Sequence, residues 1–242
     1  MRDGLAAPTS RGTFPRFLLE SAGVVAAARA LLGAVLVRED DQGRRAGRIV
    51  EVEAYAGPED RASHARFGPH GRSAVIFGQA GAAYVYLVYG MHHCLNVVAG
   101  PIGAPSAILI RAVEPRDGIQ LMRLSRASAH VATRRSPPPD ARAAAIERFE
   151  RMPAARLASG PGLVCASFGI DRSWTGIDLC DPGSPLRLEI DPAPDDRTTA
   201  PFDQVVASPR IGVAYAGDPW ATVPWRFHLA GSPAVSGRRG AE

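Results

Sequence analysis

The chain has 242 residues, 46% of them hydrophobic, which suits one sizeable domain or at most two small ones. The formal charge is +4 with a pI near 9.3, and all 28 basic residues are arginine, so chemistry through a lysine Schiff base is excluded. No apolar run approaches the ~18 residues of a membrane helix, no signal peptide is visible, and Cys94, Cys165 and Cys180 form no CxxC pair, so a soluble cytoplasmic protein without a disulfide framework or zinc knuckle is expected.

Along the chain, residues 1–15 read as a flexible polar tail. Phe17–Leu32 reads as a helix with apolar positions from Leu18 to Leu32. Strands are expected at Ala34–Arg38 and Arg48–Tyr55, joined through the turn-rich Glu39–Gly47. Alternation in the second strand sets Val50, Val52 and Ala54 on one face and Ile49, Glu51, Glu53 and Tyr55 on the other. An ionised glutamate is costly to bury unless paired, so two beside an aromatic ring suggest a polar functional cleft, although the same pattern describes the solvated face of an edge strand.

Gly57-Pro58-Glu59-Asp60 reads as a turn opening a short helix towards His64. Ala83–Val88, His93–Ala99 and Ala107–Ala112 are three further strands. Period 2 places Tyr84 and Tyr86 on one face, and Tyr89 falls out of phase before Gly90, at a strand end. The tyrosines offer flat stacking faces suited to nucleobases, though β-propensity alone also explains such a run. A helix is expected from Ile119 to Arg126, a disordered insertion over 127–142, and a helix again from Ala143 to Met152. These elements predict an α+β protein, one domain over 16–236 with a C-terminal tail from 237 to 242.

Several stretches together, above all EAYAGPEDRASH (Glu53–His64) and YVYLVYGMHHCLN (Tyr84–Asn96), with Ala107–Pro115, Gly160–Ser173, Ser208–Trp220 and Arg226–Ser236, resemble the alkyladenine (3-methyladenine) DNA glycosylase family. The resemblance runs in order along nearly the whole chain. It implies a curved, mostly antiparallel or mixed sheet flanked by helices. It implies also a monofunctional enzyme that flips damaged purines (3-methyladenine, hypoxanthine, ethenoadenine, 7-methylguanine) out of duplex DNA and initiates base excision repair. Glu53 then matches the glutamate that activates water, and Arg111 an arginine contacting that water. Tyr55 and Tyr86 match the residues that sandwich the base, His64 another wall, and Asn96 a side chain that crowds the 2-amino group of guanine. Tyr89 matches the wedge that fills the gap in the duplex. Glu51 has no assigned role and is expected to pair with an arginine rather than raise the proton affinity of Glu53. Without lysine the nucleophile is water, and no strand-cleaving lyase step is expected.

His64, His92, His93 and Cys94 suggest a metal, but adjacent strand histidines point to opposite faces, so neither a metal nor another cofactor is expected. The arginines of the insertion, Arg134 and Arg135 among them, are expected on a solvated loop rather than a phosphate-binding arm. The expected partner is double-stranded DNA bearing a damaged purine, bound by a monomer in a bacterial cytoplasm at the nucleoid, with no membrane association. Two other classes remain open: a nucleoside or glycoside hydrolase using Glu51 and Glu53, and a catalytically silent nucleic-acid-binding module.

Overall fold

The computed structural model describes residues 12–21, 23–191 and 204–237; the remaining parts of both expected tails, 1–11 and 238–242, lie outside them. Among the described residues, one open antiparallel sheet organises the α+β fold. Its strands are β1 (Val35–Asp40), β2 (Gly43–Tyr55), β3 (Ala83–Val88), β4 (His92–Ala99), β5 (Ser106–Asp117), β6 (Leu186–Glu189), β7 (Val205–Ser208) and β8 (Arg226–Leu229), and the main path runs β3-β4-β5-β2-β1-β6. β2 is long enough to take β1 on the first half of one edge and β8 beyond it, with β5 along the other edge.

One face of the sheet is apolar and carries the helices α1 (Phe17–Glu20), α2 (Gly23–Leu31), α3 (Ile119–Ala132), α4 (Ala141–Glu150) and α5 (Pro161–Phe168). Ala28 and Leu31 of α2, Met122 of α3, Phe149 of α4 and Val164 and Phe168 of α5 share a core with Leu36, Val52, Leu95, Val97 and Ile110 of the strands. The opposite face is covered by two 3-10 segments, His64–Phe67 and Gly71–Phe77, and by the chain from 204 to 236. It holds the polar residues.

The helix expected over Phe17–Leu32 is two helices. Ser21 returns its hydroxyl to the Phe17 carbonyl at 2.7 Å, and Gly23 stands at φ 71°, which breaks the run. The expected turn Glu39–Gly47 is a tight turn, with strand pairing resuming at Asp40–Gly43. In the expected N-terminal tail, Thr13 bridges Glu189 and Phe14 is buried, its amide donating to the Leu188 carbonyl at 3.0 Å. Of the segment read as disordered, Ala127–Ala132 continues α3, because Ala127 and Val131 pack on the core. Composition around the three prolines hid that apolar face.

The alternation read along Arg48–Tyr55 is interrupted once. Ile49 pairs with Val113 and Glu51 with Ala112, so Val50 is an extra residue on β2. This bulge turns Ile49 to the helical core with Val52 and Ala54, and sends Val50 to a cluster with Ala112 and Leu229 on the other side. Pairing then steps from Glu51–Ala112 to Val52–Ile110, which leaves Arg111 as a bulged residue on β5.

Candidate active site

Glu51 and Glu53 lie on the polar side of β2 and are fully buried. Two carboxylates in such a place require counter-charge, and the bulge on β5 aims Arg111 between them. Arg111 Nε donates to Glu51 Oε1 at 3.0 Å, and its Nη1 is 3.2 Å from Glu53 Oε1. β8 brings a second guanidinium, with Arg226 Nε donating to Glu51 Oε1 at 2.7 Å, while the Ser236 amide and hydroxyl donate to Glu51 at 2.6 and 2.8 Å. Burial raises the Glu51 carboxyl, but Arg111, the Ser236 amide and Arg226 outweigh it and hold the group below the usual carboxylate range. Glu51 is thus a locked anion paired with arginine.

Glu53 is held differently. Its Oε1 accepts from the Ile211 amide at 2.7 Å, and its Oε2 accepts from the Tyr55 hydroxyl at 2.8 Å. A carboxylate offers about four acceptor positions. With Arg111, Ile211 and Tyr55 placed, Oε2 retains room for one more donor.

Tyr55 carries the line of contacts into a pocket that it shares with His64, Tyr86 and Asn96, closed by Ala62, Ser63, Ile76 and Ala107. The His64 and Tyr86 rings meet edge to face at 4.5 Å, and Tyr84 lies 5.4 Å from Tyr86, as the same-face alternation of β3 requires. His64 Nδ1 and the Tyr84 hydroxyl are 2.8 Å apart. Burial, with Arg72 and Arg66 nearby, lowers the imidazole to about 4, so it is neutral at physiological pH. Asn96, on β4, turns its amide to the Tyr84 carbonyl at 3.1 Å, which fixes the side chain against the pocket floor. The pocket measures about 20 Å³, room for one water molecule.

Tyr89 stands apart from the pocket, at the tip of the β3–β4 hairpin. It is 87% exposed and, among the described residues, the one non-glycine at positive φ, 51°, followed by Gly90 at φ 69°. Two successive left-handed residues make the tight hairpin turn that suits strand twist, and a tyrosine there is a costly choice for a turn alone.

Asp60 and Arg210 are each fully buried and doubly bonded, at 2.6 and 3.0 Å. Asp60 also accepts from the amides of Ala56 and Ala62. Arg210 donates to the carbonyls of Ala54 and Trp220 and lies 4.7 Å over the Tyr55 ring. One ion pair therefore fixes both the loop leading to His64 and the segment whose next residue, Ile211, holds Glu53.

A family model described as methylpurine-DNA glycosylase (MPG) matches residues 18–233, nearly the whole chain. The chain belongs to this family. A relative from Anaeromyxobacter dehalogenans named "Putative 3-methyladenine DNA glycosylase" is 46% identical over 210 residues, 86% of this chain and 80% of its own length. Relatives of the same name from Methanocella arvoryzae and Bacillus cereus are 44% and 39% identical, covering 87% and 86% of this chain and 90% and 92% of their own.

The structure brings Glu53, Arg111, Tyr55, His64, Tyr86 and Asn96 together and leaves Tyr89 exposed at the hairpin tip. Sequence reading gave no role to Asp60, Arg210, Ile211, Arg226 or Ser236. Arg226 and Ser236 lie far along the chain, and their bonds to Glu51 depend on β8 meeting β2. A signal for the other pair was present: an aspartate inside GPEDRASH and an arginine after Ser208-Pro209.

Proposed function

We propose that this chain is a monofunctional DNA glycosylase that extrudes damaged purines from duplex DNA, acts as a monomer, and hydrolyses the N-glycosidic bond with water activated by Glu53. The observation that carries this reading is the Glu53 carboxylate, buried beside Arg111, fixed by the Ile211 amide, and hydrogen-bonded to Tyr55, a wall of the aromatic pocket. Water at the remaining acceptor position of Glu53 gives up its proton to the carboxylate as its oxygen attacks C1′. The bond from C1′ to the base nitrogen breaks, and its electron pair leaves with the purine. The anionic site stabilises the positive charge that develops on the sugar. Arg111 orients the carboxylate and contacts the water.

Tyr55 and Tyr86 sandwich the extruded purine, each stacked base contributing about 1–3 kcal/mol. With Nδ1 of His64 accepting the Tyr84 hydroxyl proton, Nε2–H remains as a donor to the six-position of the purine. Asn96 excludes guanine by crowding its 2-amino group, a clash rather than an added contact. The substrates are alkylated and deaminated purines of the 3-methyladenine, 7-methylguanine, hypoxanthine and ethenoadenine class. With no lysine in the chain, no ε-amine exists to form a covalent imine to the sugar, and on this reading the strand stays intact.

The test is base release from duplexes carrying each lesion, wild type against Glu53→Gln, developed with and without alkali. Strand breaks only after alkali, and a loss of at least ~100-fold in Glu53→Gln, are expected. Breaks without alkali would refute the water mechanism. Release from free nucleosides but not from duplex would make the chain a nucleoside hydrolase.

A further inference from the structure

A second cavity among the described residues is far larger than the aromatic pocket. It is a cleft of about 740 Å³ on the helical side of the sheet, bounded by α3, α5 and the start of β4 beside the tip of the β3–β4 hairpin. Four arginines, Arg38, Arg45, Arg126 and Arg142, and three histidines line it against a single carboxylate, Asp171. Arg38 and Arg45 share Asp40. Arg126 is nine-tenths buried yet meets no carboxylate among the described residues; it donates to the Leu157 carbonyl and lies 4.9 Å over the Phe149 ring. Burial and the neighbouring Arg148 lower it to about 10, as befits a cation without a counter-ion. Arg142, exposed at the start of α4, likewise has no acidic partner among the described residues. A buried cation left uncompensated is expensive, and a bound anion removes that cost.

The mouth of the cleft indicates which anion. Met91, His92 and His93 line it, and they directly follow Tyr89 and Gly90 at the hairpin tip. We propose that this cleft holds backbone phosphates of the duplex on one flank of the extruded nucleotide, with Arg126 and Arg142 as their counter-charges. The proposal rests on the reading that duplex DNA is the substrate and extends it: the DNA crosses the hairpin tip, so that base recognition lies on one face of the sheet and flank recognition on the other. Part of the segment read from sequence as a solvated arginine-rich insertion thus contributes to the binding surface.

The experiment measures binding of the full chain to a duplex with an uncleavable abasic analogue across a salt series, for wild type, Arg142→Gln, Arg126→Gln and a control, Arg151→Gln. Arg151 is an exposed arginine outside the cleft. Each phosphate contact contributes about 0.9 to the slope of log affinity against log salt. Arg142→Gln is expected to reduce the slope by about that amount, Arg126→Gln likewise, and Arg151→Gln not at all. Trimming the duplex on the flank that reaches the cleft should erase the difference between wild type and Arg142→Gln. Thermal melts identify a variant that fails to fold, and Arg142, on the surface, then decides alone. An unchanged slope in Arg142→Gln, or an equal fall in Arg151→Gln, would overturn the proposal. Because the readout is binding, an absence of base release from every lesion would refute the glycosylase reading while leaving the cleft assignment standing.

Discussion

Tyr89 holds a left-handed conformation that costs a side chain of this size about 1 kcal/mol or more, and it buries almost nothing in return. Such an arrangement makes sense where the ring acts on something outside the protein. Tyr89→Gly is expected to raise stability by about 1 kcal/mol in denaturant melts while weakening duplex binding by tenfold or more, with excision from single strands little changed. Equal losses on both substrates would remove the wedge role. His64 gives a pH signature. Its folded value of about 4 lies below the ordinary 6.5, so between these values the unfolded chain binds a proton that the native chain does not. The stability from this site is present above pH 6.5 and is lost as pH falls towards 4. His64→Gln should flatten the fall in melting temperature over that window, and an unaltered profile would contradict the assignment. Both residues were legible in the sequence, Tyr89 because it breaks the period before a glycine, and His64 because of the string around it. The tyrosine partner of His64 was not, since the contact joins residues 20 apart across two 3-10 segments.

At the level of elements, β2 shows why alternation is a partial guide. Period 2 located Glu51, Glu53 and Tyr55 on one strand, but the bulge at Val50 reverses the inward sense of Ile49. The companion bulge at Arg111 lets one guanidinium reach both carboxylates. Bulges leave little trace in sequence because any residue can occupy them. The loop from Ala56 to His64 and the segment around Arg210 have few regular backbone bonds, and the Asp60–Arg210 pair substitutes for them. Asp60→Asn strands a fully buried guanidinium and is expected to cost about 3–5 kcal/mol in urea unfolding, with base release falling as Tyr55 and Ile211 lose their anchor. A second change, Arg210→Met, should recover part of the stability without the activity. Stability unaffected by Asp60→Asn would show that the pair is not what holds these segments.

Across the whole molecule, the sheet divides the tasks. The helical face supplies the apolar core and the basic cleft; the other supplies carboxylates and aromatic rings. Strand positions, α+β class and the polar face followed from local periodicity, whereas β6, β7, β8 and α5 are short and depend on tertiary pairing, as do the ion pairs they deliver. No helix among the described residues is long and apolar enough to cross a membrane. The base pocket, at about 20 Å³, adds a kinetic consequence to this layout. Under the proposed function a purine enters only if the rings part, and a free base drifting in solution has no leverage to part them. A nucleotide already pushed from its stack, tethered on both sides to a strand that the protein grips, arrives at a high effective concentration and can hold the pocket open while it docks. On that function, a site closed at rest would stay clear of free purines in solution.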